Sequence, residues 1–404
     1  MNTNRILRPF LIGKNTTSSL IQNNKNLFNI IKRKKSTIPS SSFTNTIPEI
    51  EQIYERALDN AHNFDTNFGY QHDALKVNPS VKSLLQPMRP HLSNNSTTKL
   101  ASVPNYIPRP PYAYNGTIPP SPHHIVLQDK EGLDSLRISG RLARKVLDKT
   151  CQIAKPGMTT DEINTMVHQF IIEEGAYPSP LNYANFPKSV CSSINEVVCH
   201  GIPDGYVLKK GDVASFDVSL FYKGYHGDNC ATVLVGDEGS HRINEATGTG
   251  TTGTDMENDL SFQSKEEELL FITGRRLIQA AQESLDMAIL TCDQGSCLTD
   301  IGAAVAAVAD AYGYDSVQKY KGHGIGKHFH CPPYVCHYRN QDYLELQEGM
   351  VFTIEPMITE GKADCVEWAS DGWTVVTTDG GRAAQFEHMI AITSDGAEVL
   401  TVPS

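Results

Sequence analysis

The chain has 404 residues, with 46 acids against 35 bases for a formal net charge of −11, and 39% of its residues are hydrophobic. That length can bury one large core, and no apolar run reaches the roughly 18 residues that a membrane span needs. The charge is unevenly divided, and the division argues against nucleic-acid recognition by the bulk of the chain.

Residues 1–48 hold eight bases (Arg5, Arg8, Lys14, Lys25, Lys32, Arg33, Lys34 and Lys35) and no acid. Taking that +8 away from −11 leaves −19 on the remainder, which is ill suited to gripping phosphate backbones. An acid-free, hydroxyl-rich, basic start with interspersed apolar residues, as in LFNIIKRKK, has the composition of an organelle transit peptide. The alternative is a basic arm that binds nucleic acid or membrane. Residues 49–118 are rich in Asn, Ser and Pro and close on PRPPYAYNGTIPPSP. They show little apolar periodicity and read as a linker or wrapping arm. Residues 119–404 are the candidate domain.

The domain opens with a predicted helix over 130–153, carrying Leu133, Leu136, Leu142, Val146 and Leu147 at helical spacing. After the Pro156-Gly157 turn, Thr159 and Glu162 form a capping-box signature for a second helix that stops at Gly175. Another helix pair begins at Ser264 and at about Leu298. Between the pairs, residues 236–263 are polar and rich in Gly and Thr, and read as a disordered surface insertion. All nine cysteines lie at or beyond Cys151 and none forms a CxxC pair, which argues for reduced thiols and against a zinc finger.

The stretch Gly211–Cys230, GDVASFDVSLFYKGYHGDNC, alternates as two antiparallel strands around a break at KGYHG. Asp217 falls mid-strand, where a buried carboxylate must be paired or coordinated, and Asp228 follows on the same hairpin. Two unrelated acids on a solvated face would look the same on this stretch alone. A repeat at an offset of 138 residues tips the balance. It places Gly211, Val213 and Asp217 against Gly349, Val351 and Glu355, and Gly157, Ile163, Val167 and Gly175 against Gly295, Ile301, Val305 and Gly313. A duplicated unit packing about a pseudo-twofold axis would bring Asp217 and Glu355 side by side.

The segment KGHGIGKHFHCPPYVCHY sets His323, His328 and His330 among glycines that let the backbone pass close to a ligand. TIEPM puts Glu355 at a strand end before Pro356, and QFEHM puts Glu387 inside an apolar strand. Four carboxylates and one histidine suit two divalent metals, with oxygen donors favouring Mn, Fe, Co or Zn in a hydrolytic pair over a structural zinc.

At these residues the chain resembles the type I methionine aminopeptidases of the pita-bread metallopeptidases, over essentially all of 125–404. FPKSVCSSINEVVCHGIP, FDV with GDNC, GHGIG with FH, TIEPM, DGWTVVTTDG and QFEHM carry the resemblance. It implies an α+β pita-bread (creatinase/aminopeptidase) fold, with pseudo-twofold αα-β repeats around a central antiparallel sheet. The metal ligands implied are Asp217, Asp228, His323, Glu355 and Glu387. His200 and His330 fall on the family's two non-ligand catalytic histidines. Tyr183, Phe186, Cys191, Phe329 and Trp373 match its methionine pocket. The 32-residue interval from Glu355 to Glu387 leaves no room for the type II helical insertion. The basic tail in place of an N-terminal zinc-finger region resembles the organellar form, with a mitochondrial address and plastid or cytoplasm as alternatives. The resemblance further implies a monomer that acts on N-terminal Met peptides of nascent proteins with a small second residue, with the ribosome as a place of encounter.

The expected mechanism is hydrolysis by metal-activated water. Asp217 would bridge the ions and Glu355 would shuttle a proton. His330 would donate to the developing oxyanion, and His200 would orient the first amide. Two rivals share parts of the pattern: another pita-bread peptidase such as a prolidase, and an inert pita-bread binding protein.

Overall fold

A computed structural model describes residues 59, 100–237, 242–244, 249–251 and 262–403. The expected transit peptide, and all of 49–99 except residue 59, lie outside the described residues. The four predicted helices form: α1 Lys130–Ile153, α2 Thr160–Glu173, α3 Lys265–Leu290 and α4 Leu298–Tyr312. Asp129 caps α1 by accepting from the Gly132 amide. Thr159 and Glu162 complete the capping box of α2, and Ser264 caps α3 ahead of three glutamates that suit the positive end of its dipole.

The two halves repeat as the 138-residue offset predicts. Matching glycines share the left-handed conformation at matching turns: φ is 92° and 80° at Gly157 and Gly295, 69° and 70° at Gly175 and Gly313, and 91° and 87° at Gly211 and Gly349. Each half folds a helix pair onto its own sheet. In the first half α1 lies across an antiparallel hairpin, Val213–Tyr222 with Tyr225–Leu234, whose other edge pairs with Tyr177–Pro178 and Cys191–Ile194. In the second, the order across the sheet is Cys331–Val335, Gly322–Gly324, Val351–Ile354, His388–Thr393, Gly396–Val399. A backbone bridge between Cys230 and Glu387 joins the two sheets.

Three local readings are corrected. The break read at 223–227 is only Lys223-Gly224, a two-residue turn with φ of 47° and 94°. Gly227 is inside a strand because a Cβ there would lie 2.3 Å from the Ser139 carbonyl of α1; the glycine marks a close approach. Glu387 is not inside a strand. It sits between Ala383–Gln385, which pairs with Met357–Thr359, and His388–Thr393, which pairs with Val351–Ile354, where the chain changes partners. Within the 236–263 insertion, read as disordered, Arg242–Asn244 pairs antiparallel with Thr249–Thr251.

Buried apolar side chains gather into a first-half cluster around Val146, Ile163 and Phe216, and a second-half cluster around Leu285, Val305 and Ile390. Each such side chain is worth about 1.5–3 kcal/mol when fully buried. A third cluster joins Val103, Ile107 and Tyr112 to Leu136, Phe329 and Met389. Residues just ahead of α1 therefore pack into the same body.

Candidate metal centre

Strand register alone aims four carboxylates at one face. Cys191, Asp217 and Cys230 are direct partners across three neighbouring strands, and Cys230 pairs next with Glu387. Direct partners point to the same side of a sheet, and so do residues two apart on one strand. Asp228 therefore shares the face through Cys230. Ile354 pairs with His388, so one further step of that register sets Glu355 opposite Glu387. The Glu387 amide donates to the Cys230 carbonyl at 2.9 Å, pinning the seam between the two halves.

His323 arrives from the second-half sheet. Its Nδ1 donates to the Gly324 carbonyl at 3.1 Å, which leaves the lone pair of Nε2 facing Asp228 Oδ2 at 3.6 Å and Glu355 Oε1 at 3.7 Å. One donor atom from each of Asp228, His323 and Glu387 lies within 4.8 Å of the others. Thr353 ties two of these groups together: its hydroxyl accepts from the His323 amide and donates to Glu355 Oε1, both at 3.0 Å. Gln385 donates to Glu355 Oε2 at 3.3 Å, and the Glu355 amide donates to His337 Nε2 at 3.0 Å.

The electrostatics call for a cation. Burial first, then mutual repulsion, holds Asp228, Glu355 and Glu387 above the usual carboxylate range; burial also raises Asp217. Burial keeps His323 neutral, with a pKa of about 4. Among the described residues, Asp228 Oδ1 is buried without a hydrogen-bond partner. A neutral imidazole presenting a lone pair to carboxylate oxygens, beside an orphaned carboxylate oxygen, is a set of acceptors that fits a divalent ion. The residues present fit the group.

The predicted pocket residues flank this centre in two groups. Tyr183, Phe329 and His330 pack edge-on or tilted with centroids 4.3–5.1 Å apart. Phe186 and His200 each meet Trp373 edge-on, at 5.2 and 5.9 Å. Cys191 lies beside Asp217 in the register. His330 packs 4.1 Å from His323, centroid to centroid. His200 has a left-handed φ of 57°, a costly shape that clusters at functional sites. His328 joins neither group, whereas several neighbours were not singled out from sequence. His226 stacks on Phe329 at 4.9 Å and binds Ser179; Tyr320 meets His200 edge-on; His337, Thr353 and Gln385 brace Glu355. A usable signal existed for two of them: Thr353 and Gln385 each precede a predicted ligand by two residues, the same-face spacing of a strand.

Residues 134–251 and 254–394 match the profile of metallopeptidase family M24. "Methionine aminopeptidase 1B, chloroplastic" of Arabidopsis thaliana is 40% identical over 312 residues, 77% of this chain and 76% of that protein. "Methionine aminopeptidase 1D, mitochondrial" of Danio rerio is 40% identical over 299 residues, 74% and 79% of the two chains. The crystal structure of methionine aminopeptidase from Rickettsia prowazekii superposes with a TM-score of 0.59 at 38% identity, covering 69% of this chain and 100% of that one.

Proposed function

This chain belongs to metallopeptidase family M24, and on that premise we propose that it removes the first methionine from other polypeptides by hydrolysing the peptide bond after it, when the second residue is small. The observation that carries the reading is the single face on which strand register gathers Asp217, Asp228, Glu355 and Glu387 around His323. Membership of the family implies divalent metal binding; two ions, drawn from Co, Mn, Fe or Zn, are the proposal for these five residues. When bound, divalent cations supply Lewis acidity, which brings the pKa of water toward neutrality and polarises a carbonyl.

The chain's own groups do the rest. Glu355, held at both oxygens by Thr353 and Gln385, is the carboxyl placed to accept a proton from water and pass it to the departing amine. His330, neutral and beside His323, donates a hydrogen bond to the scissile carbonyl oxygen as charge grows there. His200, on the Trp373 side, orients the first amide. Tyr183, Phe186, Cys191, Phe329 and Trp373 form an apolar, polarizable wall that suits an unbranched thioether. Burial pushes the Cys191 thiol well up, first, with Asp217 adding to it, so the sulfur stays neutral toward the substrate.

The names of the similar proteins and the acid-free basic start support an organelle as the place of action, with the mitochondrion as our specific proposal. No described helix is long and apolar enough to cross a membrane. We further propose a monomer that meets its substrates as nascent chains at the ribosome.

The test uses the full chain, stripped with chelator and reloaded with each metal, on Met-Ala-Ser, Leu-Ala-Ser and Ala-Pro-Ala. Metal-dependent release of Met alone, lost in Asp217→Asn, is expected. Proline-directed cleavage would replace this reading with a prolidase, and a metal-loaded but inert protein would replace it with a binding role.

A further inference from the structure

The loop that carries Tyr183 is held in a costly shape. Asn182, Ala184 and Asn185 have left-handed φ values of 63°, 44° and 68°, and such residues persist only where their surroundings over-determine them. The surroundings come from the segment ahead of α1. The Tyr112 hydroxyl donates to the Ser179 carbonyl at 2.7 Å, and its ring stands edge-on to Tyr183 at 4.9 Å. The Asn182 side chain donates to the Ala113 carbonyl at 3.1 Å. Gly116 lies so close that a Cβ would sit 2.3 Å from Asn185 Oδ1.

This loop ends its chain of contacts on His330. The Tyr183 hydroxyl pairs with His330 Nδ1 at 2.8 Å, and Nδ1 is its hydrogen-bond partner among the described residues. With the hydroxyl donating, Nδ1 accepts, and the one proton of a neutral imidazole is assigned to Nε2. The other tautomer would turn a lone pair on the substrate carbonyl and repel it. A few residues further along the same segment, the Ser121 hydroxyl donates to the His330 carbonyl at 2.8 Å. Ring and main chain of one histidine are thus both tied to one stretch of fewer than a dozen residues.

We propose that residues 112–121 are a strap that positions His330, setting its ring nitrogen through Tyr112 and Tyr183 and its main chain through Ser121. The strap residues are positioning residues that act through Tyr183 and His330, and the inference rests on the reading of His330 as donor to the scissile carbonyl. It predicts a loss in kcat with KM almost unchanged, because a misaligned donor is missed in the transition state more than in binding.

The experiment measures Met-Ala-Ser turnover by the full, Mn-loaded chain carrying Ser121→Ala or Tyr112→Phe, each in the parent and in a His330→Ala background. Both substitutions are small, and circular dichroism melting follows folding separately. His330→Ala is expected to cost roughly 10²–10³-fold in kcat. Ser121→Ala and Tyr112→Phe are expected to cost roughly tenfold in the parent, and no further loss once His330 is gone. Equal losses in both backgrounds, or none in the parent, would overturn the strap while leaving the catalytic reading intact. If His330→Ala itself turns over normally, the reading of His330 fails, and the strap with it.

Discussion

The two halves share a scaffold and differ in what they hang on it. The stretches from Gly175 to Gly211 and from Gly313 to Gly349 are equal in length and begin and end on left-handed glycines. The first supplies Tyr183, Phe186, Cys191 and His200, mostly wall; the second supplies His323, Phe329, His330 and His337, mostly imidazole. After these stretches the halves diverge again. Asp217 and Asp228 share one tight hairpin, whereas Glu355 and Glu387 are separated by an excursion through Met357–Thr359, Cys365–Glu367 and Val375–Thr377 that brings Trp373 against Phe186 and His200. A duplicated frame fixes where side chains point, and the loops between frame elements decide which chemistry is delivered there.

If the halves contribute equally to the centre, one acid from each should matter alike. Asp217→Asn and Glu387→Gln should each remove bound metal, measured by elemental analysis, and lower kcat/KM by at least the 10²–10³-fold typical of losing one electrostatic contact at a reacting centre. Metal retained in full by either variant would exclude that residue as a ligand. A finer difference lies in the bracing. Thr353 reaches Glu355 at 3.0 Å, while the first-half hydroxyl of Ser219 reaches Asp217 only at 3.4 Å. Calorimetric titration with Mn should find Thr353→Val weakened about 10–100-fold and Ser219→Ala by much less; equal effects would end the asymmetry.

The crowding of acids from both halves has a pH signature in the metal-free protein. Burial first, then repulsion from Asp217, pushes Glu355 up to about 8, against about 4 in an unfolded chain. Between those values the folded state binds more protons, so this group's contribution to stability is full below pH 4 and lost as pH rises through 8. Neutral buried histidines such as His200, His226 and His323, lowered by burial, act in the opposite direction below about pH 6.5. Urea denaturation in chelator should therefore find stability falling from pH 6.5 to 8, on the order of 2 kcal/mol from Glu355, and Mn should cancel the fall. A metal-free protein that gains stability over that window would refute the crowding. The smallest effect tests the frame itself. Gly157→Ala and Gly295→Ala occupy matching turns with open surroundings, and each should cost about 1–2 kcal/mol in chemical denaturation, equally in both halves and without touching metal affinity.

Asp217 and Glu355 were legible because a period of 138 residues tied them together and because acids in strands need a reason. The helices were legible from caps and spacing. Asp228 was placed on the hairpin but beside too long a break, since Gly227 looks the same in sequence whether it makes a turn or admits a neighbouring helix. Glu387 reads as mid-strand because a change of partner leaves the alternation of apolar residues undisturbed. Tyr112, His226 and His337 had no such signal: each earns its place through contacts with residues far away in the chain, and spacing speaks only for near ones.

Ser121 and His330 are 209 positions apart, yet one donates to the other. A ribosome adding about 5–20 residues per second finishes the serine roughly 10–40 seconds before its acceptor exists. The segment that braces the site is therefore made before everything it braces, and it waits undocked while both halves emerge. An early segment of the body thus docks only after a residue 209 positions later has been made.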